Sequence, residues 1–453
     1  MGDENLNRVV RIPILVPENR VNDIHATRFK TAYCQQQTSD YCWQKPKHPD
    51  DLVTKNEDAE NALYHPLRED TDQLHANLVQ KAIKDVTGNM KTAKRNWDAG
   101  DRVNKPTYDI CREDNSYAIT YDKRAATFFK YKVSLATVNG RVECDYVLPR
   151  ELEGTPYERY VLDPAWSFGT SKLVFDGERF WLHAVCKRPK LTAPVWATHD
   201  TVVETDGGSD TQSSTRILGV DLNVKHYSVV TSAAGFYGKA DELNNRREQF
   251  ERARGGLQQT GTRSAHVSFH EMGGREWRHF DEYAHECANG IVEDALRTRC
   301  THVVFENLTR IRKRISNAPE YQQWLFKRIR EYAEDKLELL GIETSTVNPR
   351  NTSKRCSNTE CDSCTKRNPS KKSFECVECG LSLNRDYNAA RNIALQWFAE
   401  KSESSRGQAG RTCQSGRATS QLALKSGTLS PSGVFTPKAW LSTDKLAPLG
   451  AGS

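Results

Sequence analysis

A chain of 453 residues is long enough to bury two or three separate cores, which argues against a single compact fold. Charged residues make up 27% of it but the net charge is only +6, so it is not an unfolded polyelectrolyte, and any surface for an acidic partner must be local. No run of 18 apolar residues occurs and the opening MGDENLNRVV has no signal-like stretch, so a cytoplasmic protein without membrane segments is expected.

Residues 9–16 form a short apolar run with β-branched members, and residues 133–147 read as two strands joined at Asn139-Gly140, a two-residue hairpin signal. A second hairpin joins residues 173–175 to 180–185 across Asp176-Gly177-Glu178-Arg179. These segments predict a β-rich domain over 1–21 and 129–205, a small barrel in outline. The stretch between, 22–128, is helical where it can be read: Leu74, Leu78, Ala82 and Val86 recur at helical spacing, ending near Gly88. Residues 206–215, DGGSDTQSST, are polar and aperiodic, as a linker is.

From Arg216 strands and helices alternate. Strands are expected at 217–222 and 227–232, followed by a polar helical stretch after Asp241. Tyr283, Cys287, Ile291 and Ala295 mark an amphipathic helix that leads into Val303-Val304-Phe305. A further helix carries Leu325, Ile329, Tyr332 and Leu340, and the last carries Ala389, Ala390, Ile393 and Trp397. This is an α/β domain over 216–349 and 381–399, with an insert at 350–380. Residues 400–453 are Ser-, Gly- and Pro-rich with few apolar clusters, and a disordered tail is expected there.

Three acids sit where apolar elements would deliver them to one place. Asp221 interrupts the buried-looking strand Ile217-Leu218-Gly219-Val220-Asp221-Leu222, where an uncompensated carboxylate is costly. Glu306 ends the strand Val303-Val304-Phe305-Glu306, and Asp386 lies in the first turn of the last helix, where the helix dipole favours an acid. Hard oxygen ligands converging from separate elements are what phosphodiester cleavage by two divalent cations requires. Alone, each acid reads as a turn former, a solvated strand end or a helix cap; the order and fold pattern of the three favour the site.

Of thirteen cysteines, five fall between Cys356 and Cys379 and the rest are scattered, which indicates a metal site in a reducing compartment. Cys376-x2-Cys379 with Gly380 is the better-defined knuckle, and Cys356 and Cys361 are the chosen second pair, with Cys364 the alternative. Four thiolates would close the coordination sphere of zinc, leaving it a structural role. Basic residues gather beside these features: 305–330 and 350–372 each hold seven Lys/Arg against two acids, a place for phosphates.

These residues resemble the TnpB (OrfB) proteins of insertion sequences, relatives of the CRISPR type V effectors. Gly219-Val220-Asp221-Leu222, Phe305-Glu306-Asn307-Leu308 and the run Asn384–Ile393 (NRDYNAARNI) look like the family's three RuvC motifs, and Thr352–Ser357 (TSKRCS) like the approach to its zinc insert. The resemblance spans most of residues 9–398. It implies an RNase H-like (RuvC) nuclease core with a zinc-binding insert, and an N-terminal β-barrel (wedge-like) domain carrying a helical, recognition-like insertion. It further implies Asp221, Glu306 and Asp386 as catalytic carboxylates holding Mg2+, a guide RNA from the transposon end, and target DNA beside a short transposon-associated motif. Two departures stand out: the first cysteine pair is spaced by four residues rather than the common two, and position 384 is Asn where many members carry Asp. A non-cutting nucleic-acid-binding regulator of transposition is the alternative, and a strand-joining transposase a weaker one.

Overall fold

The structure, a computed structural model, describes residues 4–44, 46–108, 118–198, 215–223, 225–308, 320–361, 363–364, 373–405, 427–429 and 435–437. The chain divides into two compact units, Met1–Pro189 and Lys190–Ser453.

The first unit is built on β1 (Asn5–Leu15), whose residues alternate inward and outward, with Leu6, Val10, Ile12 and Ile14 buried. Then come α1 (Val21–Cys42), α2 (Asn56–Asp70), α3 (Ala76–Asp98), β2 (Ile119–Tyr121), β3 (Ala126–Phe128), β4 (Lys132–Thr137), β5 (Gly140–Tyr146), β6 (Ser167–Phe168), β7 (Ser171–Phe175) and β8 (Phe180–Pro189). One antiparallel sheet runs β2-β7-β8-β1-β5-β4-β3, with β6 on β8. Its two end strands, β2 and β3, adjoin in sequence, and the Tyr121 hydroxyl donates to the Ala136 carbonyl at 3.0 Å, so the sheet curls back on itself. No ladder joins those end strands among the described residues, so the sheet is nearly closed.

Both hairpins form where turn chemistry places them: Thr137 faces Gly140, whose φ is +89°, and Asp176 Oδ1 accepts from the backbone of Glu178 and Arg179. Three differences from expectation stand out. α3 runs through Gly88 to Asp98, because Met90 and Ala93 continue its buried stripe and outweigh the ~1 kcal/mol cost of a helical glycine. The strands β2 and β3 lie in the stretch expected to be helical; three residues are too few to show a period. The unit ends at Pro189, not residue 205, since Val195 N–H bonds the Leu340 carbonyl at 3.0 Å within the second unit.

The second unit contains β9 (Ile217–Leu222), β10 (Tyr227–Thr231), β11 (Phe236–Lys239), α4 (Ala240–Thr260), α5 (Arg263–Arg297), β12 (His302–Glu306), α6 (Glu320–Leu339), β13 (Glu343–Val347), β14 (Ser373–Glu375), β15 (Ser382–Asn384) and α7 (Arg385–Ser405). Its five-stranded sheet has the order β11-β10-β9-β12-β13, with β9, β12 and β13 parallel and β10 and β11 antiparallel. One face packs Leu218, Val220, Val303 and Phe305 against Cys287 and Ile291 of α5 and Ile329 and Leu337 of α6. The other packs Ile217, Val304 and Val347 against Ile393 and Ala394 of α7. Each such buried aliphatic contributes ~1.5–3 kcal/mol, which makes the β9–β12 pair the rigid centre of the unit.

The linker expected at 206–215 lies, Thr215 apart, outside the described residues. In the stretch expected to be a disordered tail, α7 continues to Ser405 and β16 (Gly427–Leu429) pairs with β17 (Phe435–Pro437); the other residues beyond 405 are outside the description. Among the described residues no helix is long and apolar enough to cross a membrane.

Candidate active site and metal centre

Strand alternation decides which side chains share a face. Ile217, Gly219 and Asp221 point to the α7 side of β9, while Leu218 and Val220 point to the opposite core. On β12, Val304 and Glu306 point to the same side. The parallel register pairs Phe305 with Val220, so Glu306 falls beside Asp221 on a neighbouring strand, ~4.8 Å away along the hydrogen-bond direction.

Gly219 admits the third acid. A Cβ there would lie 2.0 Å from the Ala390 carbonyl oxygen and 2.9 Å from Ala394 N, so only glycine lets α7 lie directly on β9. From that crossing, four helical residues span ~6 Å back to Asp386 and two strand residues span ~6.6 Å forward to Asp221. Asp386 is thereby carried toward Asp221. The electrostatics agree: burial pushes the Asp221 carboxyl well above the ordinary carboxylate range, and the charges of Glu306 and Asp386 push it further. Burial also raises Asp386, opposed by the Arg385 guanidinium, which lies 3.3 Å from Asp386 Oδ1, and by His226.

Each acid has a partner that fixes it. Asn223 Nδ2 donates to Asp221 Oδ2 at 2.9 Å, and the Thr352 hydroxyl donates to Glu306 Oε1. Asn384 Oδ1 accepts from the backbone N–H of Asp386 at 2.9 Å and of Tyr387 at 3.1 Å, so it caps α7. Asn and Asp cap equally well. Asn384→Asp should therefore leave thermal melting nearly unchanged, whereas Asn384→Ala should cost about 1 kcal/mol, read as a lower Tm.

Sequence reasoning singled out neither Asn223 nor Thr352 as a site residue. Asn384 sits one residue before a helix whose first turn holds an acid, a signature of a cap that could have been read.

The cysteines form a second centre. The Sγ atoms of Cys356, Cys361, Cys376 and Cys379 all lie within 4.8 Å of one another. Cys356 and Cys379 are 3.6 Å apart and Cys361 and Cys376 3.7 Å. Four sulfurs at 2.3 Å from a tetrahedral zinc would be ~3.8 Å apart, so the cluster fits that ion. Backbone N–H groups of Cys379 and Glu378 hold the Cys376 thiol down at about 6, while burial pushes Cys356 up. Cys364 is exposed and takes part in an isolated bridge with Arg355 instead. Of the basic stretches, residues 309–319 and 365–372 lie outside the described residues.

A family profile described as Cas12f1-like, TNB domain, matches residues 326–393, from α6 through the cysteine cluster into α7. The chain is 29% identical over 195 residues to the CRISPR-associated endodeoxyribonuclease Cas12f1 of Sulfoacidibacillus thermotolerans, covering 40% of this chain and 45% of that protein. It is 23% identical over 411 residues to the Cas12f1 of Syntrophomonas palmitatica, covering 76% and 77%. The chain thus spans less than half of the first relative and about three quarters of the second. Among solved structures, a Cas12f1–sgRNA–target DNA complex superposes with a TM-score of 0.56 at 14% identity, over 86% of this chain and 99% of that one. At that identity the likeness is one of fold.

Proposed function

We propose that this chain, a TnpB-like relative of the type V CRISPR effectors, is an RNA-guided DNA endonuclease of RuvC type, with Asp221, Glu306 and Asp386 as its catalytic carboxylates. The observation that carries the reading is the placement of the three acids: the buried Asp221 and its neighbour Glu306 lie on adjacent strands facing one side, and Asp386 lies in the first turn of the helix packed on that side against Gly219. A structural protein gains nothing from three acids facing each other, whereas a divalent cation relieves the repulsion. The strand order, three parallel strands flanked by an antiparallel pair, is the arrangement expected of an RNase H-like core.

The carboxylate oxygens suit Mg2+, and Asp221, Glu306 and Asp386 would hold it. Bound there, two such ions supply Lewis acidity to the scissile phosphate and a water acidified for attack. The rest is done by the chain's own groups. Asn223 donates to one Asp221 oxygen and Thr352 to one Glu306 oxygen, which holds both carboxylates in fixed orientations. Arg385 beside Asp386 adds positive charge at the rim, where a phosphate backbone would approach. The cysteine cluster would hold a structural Zn2+. The relatives' names point to a guide RNA and target DNA as partners, the guide here being read from the transposon end.

The test is purification with co-expressed RNA from the transposon flank, followed by incubation with guide-matched DNA in Mg2+ or EDTA. Cleavage in Mg2+ and none in EDTA is expected. Intact DNA in both, with RNA still bound, would favour a non-cutting regulator of transposition.

A further inference from the structure

Glu306 is the one acid of the three whose fixing partner comes from far along the chain. Thr352 is 4% exposed, and its hydroxyl donates to Glu306 Oε1 across 46 residues of sequence. Its own carbonyl accepts from Asn392 Nδ2 at 2.8 Å, and the same amide nitrogen reaches the Arg355 carbonyl at 2.7 Å. One turn earlier on α7, Asn388 donates to the Arg355 carbonyl at 2.9 Å and accepts from Ser357 N–H at 3.1 Å. Residues 352–357 are therefore pinned to α7 at both ends, with Cys356 of the sulfur cluster between the pins. The turn into this segment passes through Asn351 at φ +66°, a conformation that Asn tolerates better than most residues.

Resting on the carboxylate reading above, we propose that Thr352 is a positioning residue for the catalytic cation. It orients the Glu306 carboxylate through Oε1, and its own place is set by the helix that carries Asp386. The two metal centres are thereby braced against one element: α7 holds Asp386 at its start, orients Glu306 through Asn392 and Thr352, and anchors the cysteine loop through Asn388. A hydroxyl donor to a ligating carboxylate acts on metal affinity, and loss of such a partner costs about 10–100-fold.

The test is calorimetric titration of Mn2+ into the full zinc-loaded chain. Thr352→Val, which keeps the shape and removes the hydroxyl, should weaken Mn2+ binding about 10–100-fold, and Thr352→Ser should restore it. Zinc content near one per chain and the melting temperature of the zinc-loaded chain before Mn2+ is added should not move in either variant, which separates positioning from a merely structural role. Should Thr352→Val fail to fold, Thr352→Ala reads the same quantities without a β-branch. Wild-type Mn2+ affinity in Val and Ala, equal loss in Ser, or unfolding in both Val and Ala overturns the proposal. Mn2+ heat that survives the Asp221→Ala substitution would sink the carboxylate site itself, a different result from a normal site indifferent to Thr352.

Discussion

With zinc bound and no Mg2+ added, the Asp221→Asn variant melts above the wild-type chain, and in Mg2+ it loses DNA cleavage by at least ~10²–10³-fold. Both effects come from the same placement. Burial and the charges of Glu306 and Asp386 raise the Asp221 carboxyl in the folded state, so the folded chain holds that proton more tightly than the unfolded one. Its contribution to stability is complete below the unfolded value of ~3.9 and is lost as pH rises through the higher folded value. At neutral pH the ionised carboxylate is thus a burden on the metal-free fold. An amide of the same shape removes it, and a Tm gain of ~2–4 °C follows for each kcal/mol relieved. Added Mg2+ reverses the ranking, because a cation that binds only the native state at 100 times its Kd stabilises by ~2.7 kcal/mol, and the amide is a poor ligand for it. Differential scanning calorimetry with and without Mg2+, beside the cleavage assay, reads both halves. RNA binding should be unchanged, since Asp221 is buried. A variant that melts below wild type without added Mg2+ and still cuts would remove Asp221 from the site.

What the sequence made legible was the pattern that has a period. Strands β9 and β12 are apolar runs of the right length, α5, α6 and α7 carry clear stripes, and the acids stand at positions those elements deliver to one place. Strands β2, β3, β11 and β13 are short or polar, and in Glu343–Val347 only Val347 is buried, so nothing in their composition separates them from loop. The ending of the first unit at Pro189 was hidden for another reason: residues 190–198 belong to the second unit through backbone bonding at Val195, which leaves no mark on side-chain identity. Gly219 was quoted as part of a motif, but its reason, the 2.0 Å approach of the Ala390 carbonyl, needs the helix 171 residues away. Thr352 was likewise visible as a letter in TSKRCS and invisible as a partner of Glu306, since a hydrogen bond across 46 residues has no local signature. The choice between Cys361 and Cys364 turned on spacing that permits either, and the sulfur positions group Cys361 with the other three.

The Cys376→Ser, Cys379→Ser double variant should bind no zinc, against about one per chain in the wild type, and should open the 350–380 insert to protease. The local fold is too small to stand otherwise. Cys356, Phe374 and Cys376 are its buried hydrophobic cluster among the described residues, with Cys361 and Leu381 packed against it, and its β14–β15 ladder has three residue pairs. An isolated two-stranded ribbon is marginal in water, whereas a four-thiolate zinc site contributes an apparent ~10–16 kcal/mol to folding in small zinc domains. Loss of the metal therefore removes most of what orders the loop. The damage should travel: residues 352–357 are tied to Asn388 and Asn392, and Thr352 to Glu306, so cleavage should fall with the zinc. Cys364→Ser supplies the contrast. That side chain is exposed and outside the sulfur cluster, so zinc content, protease resistance and cleavage should all stay at wild-type levels. Zinc retained by the double variant, or lost from Cys364→Ser, would reassign the ligands to a different set of sulfurs and break the link between the insert and Glu306.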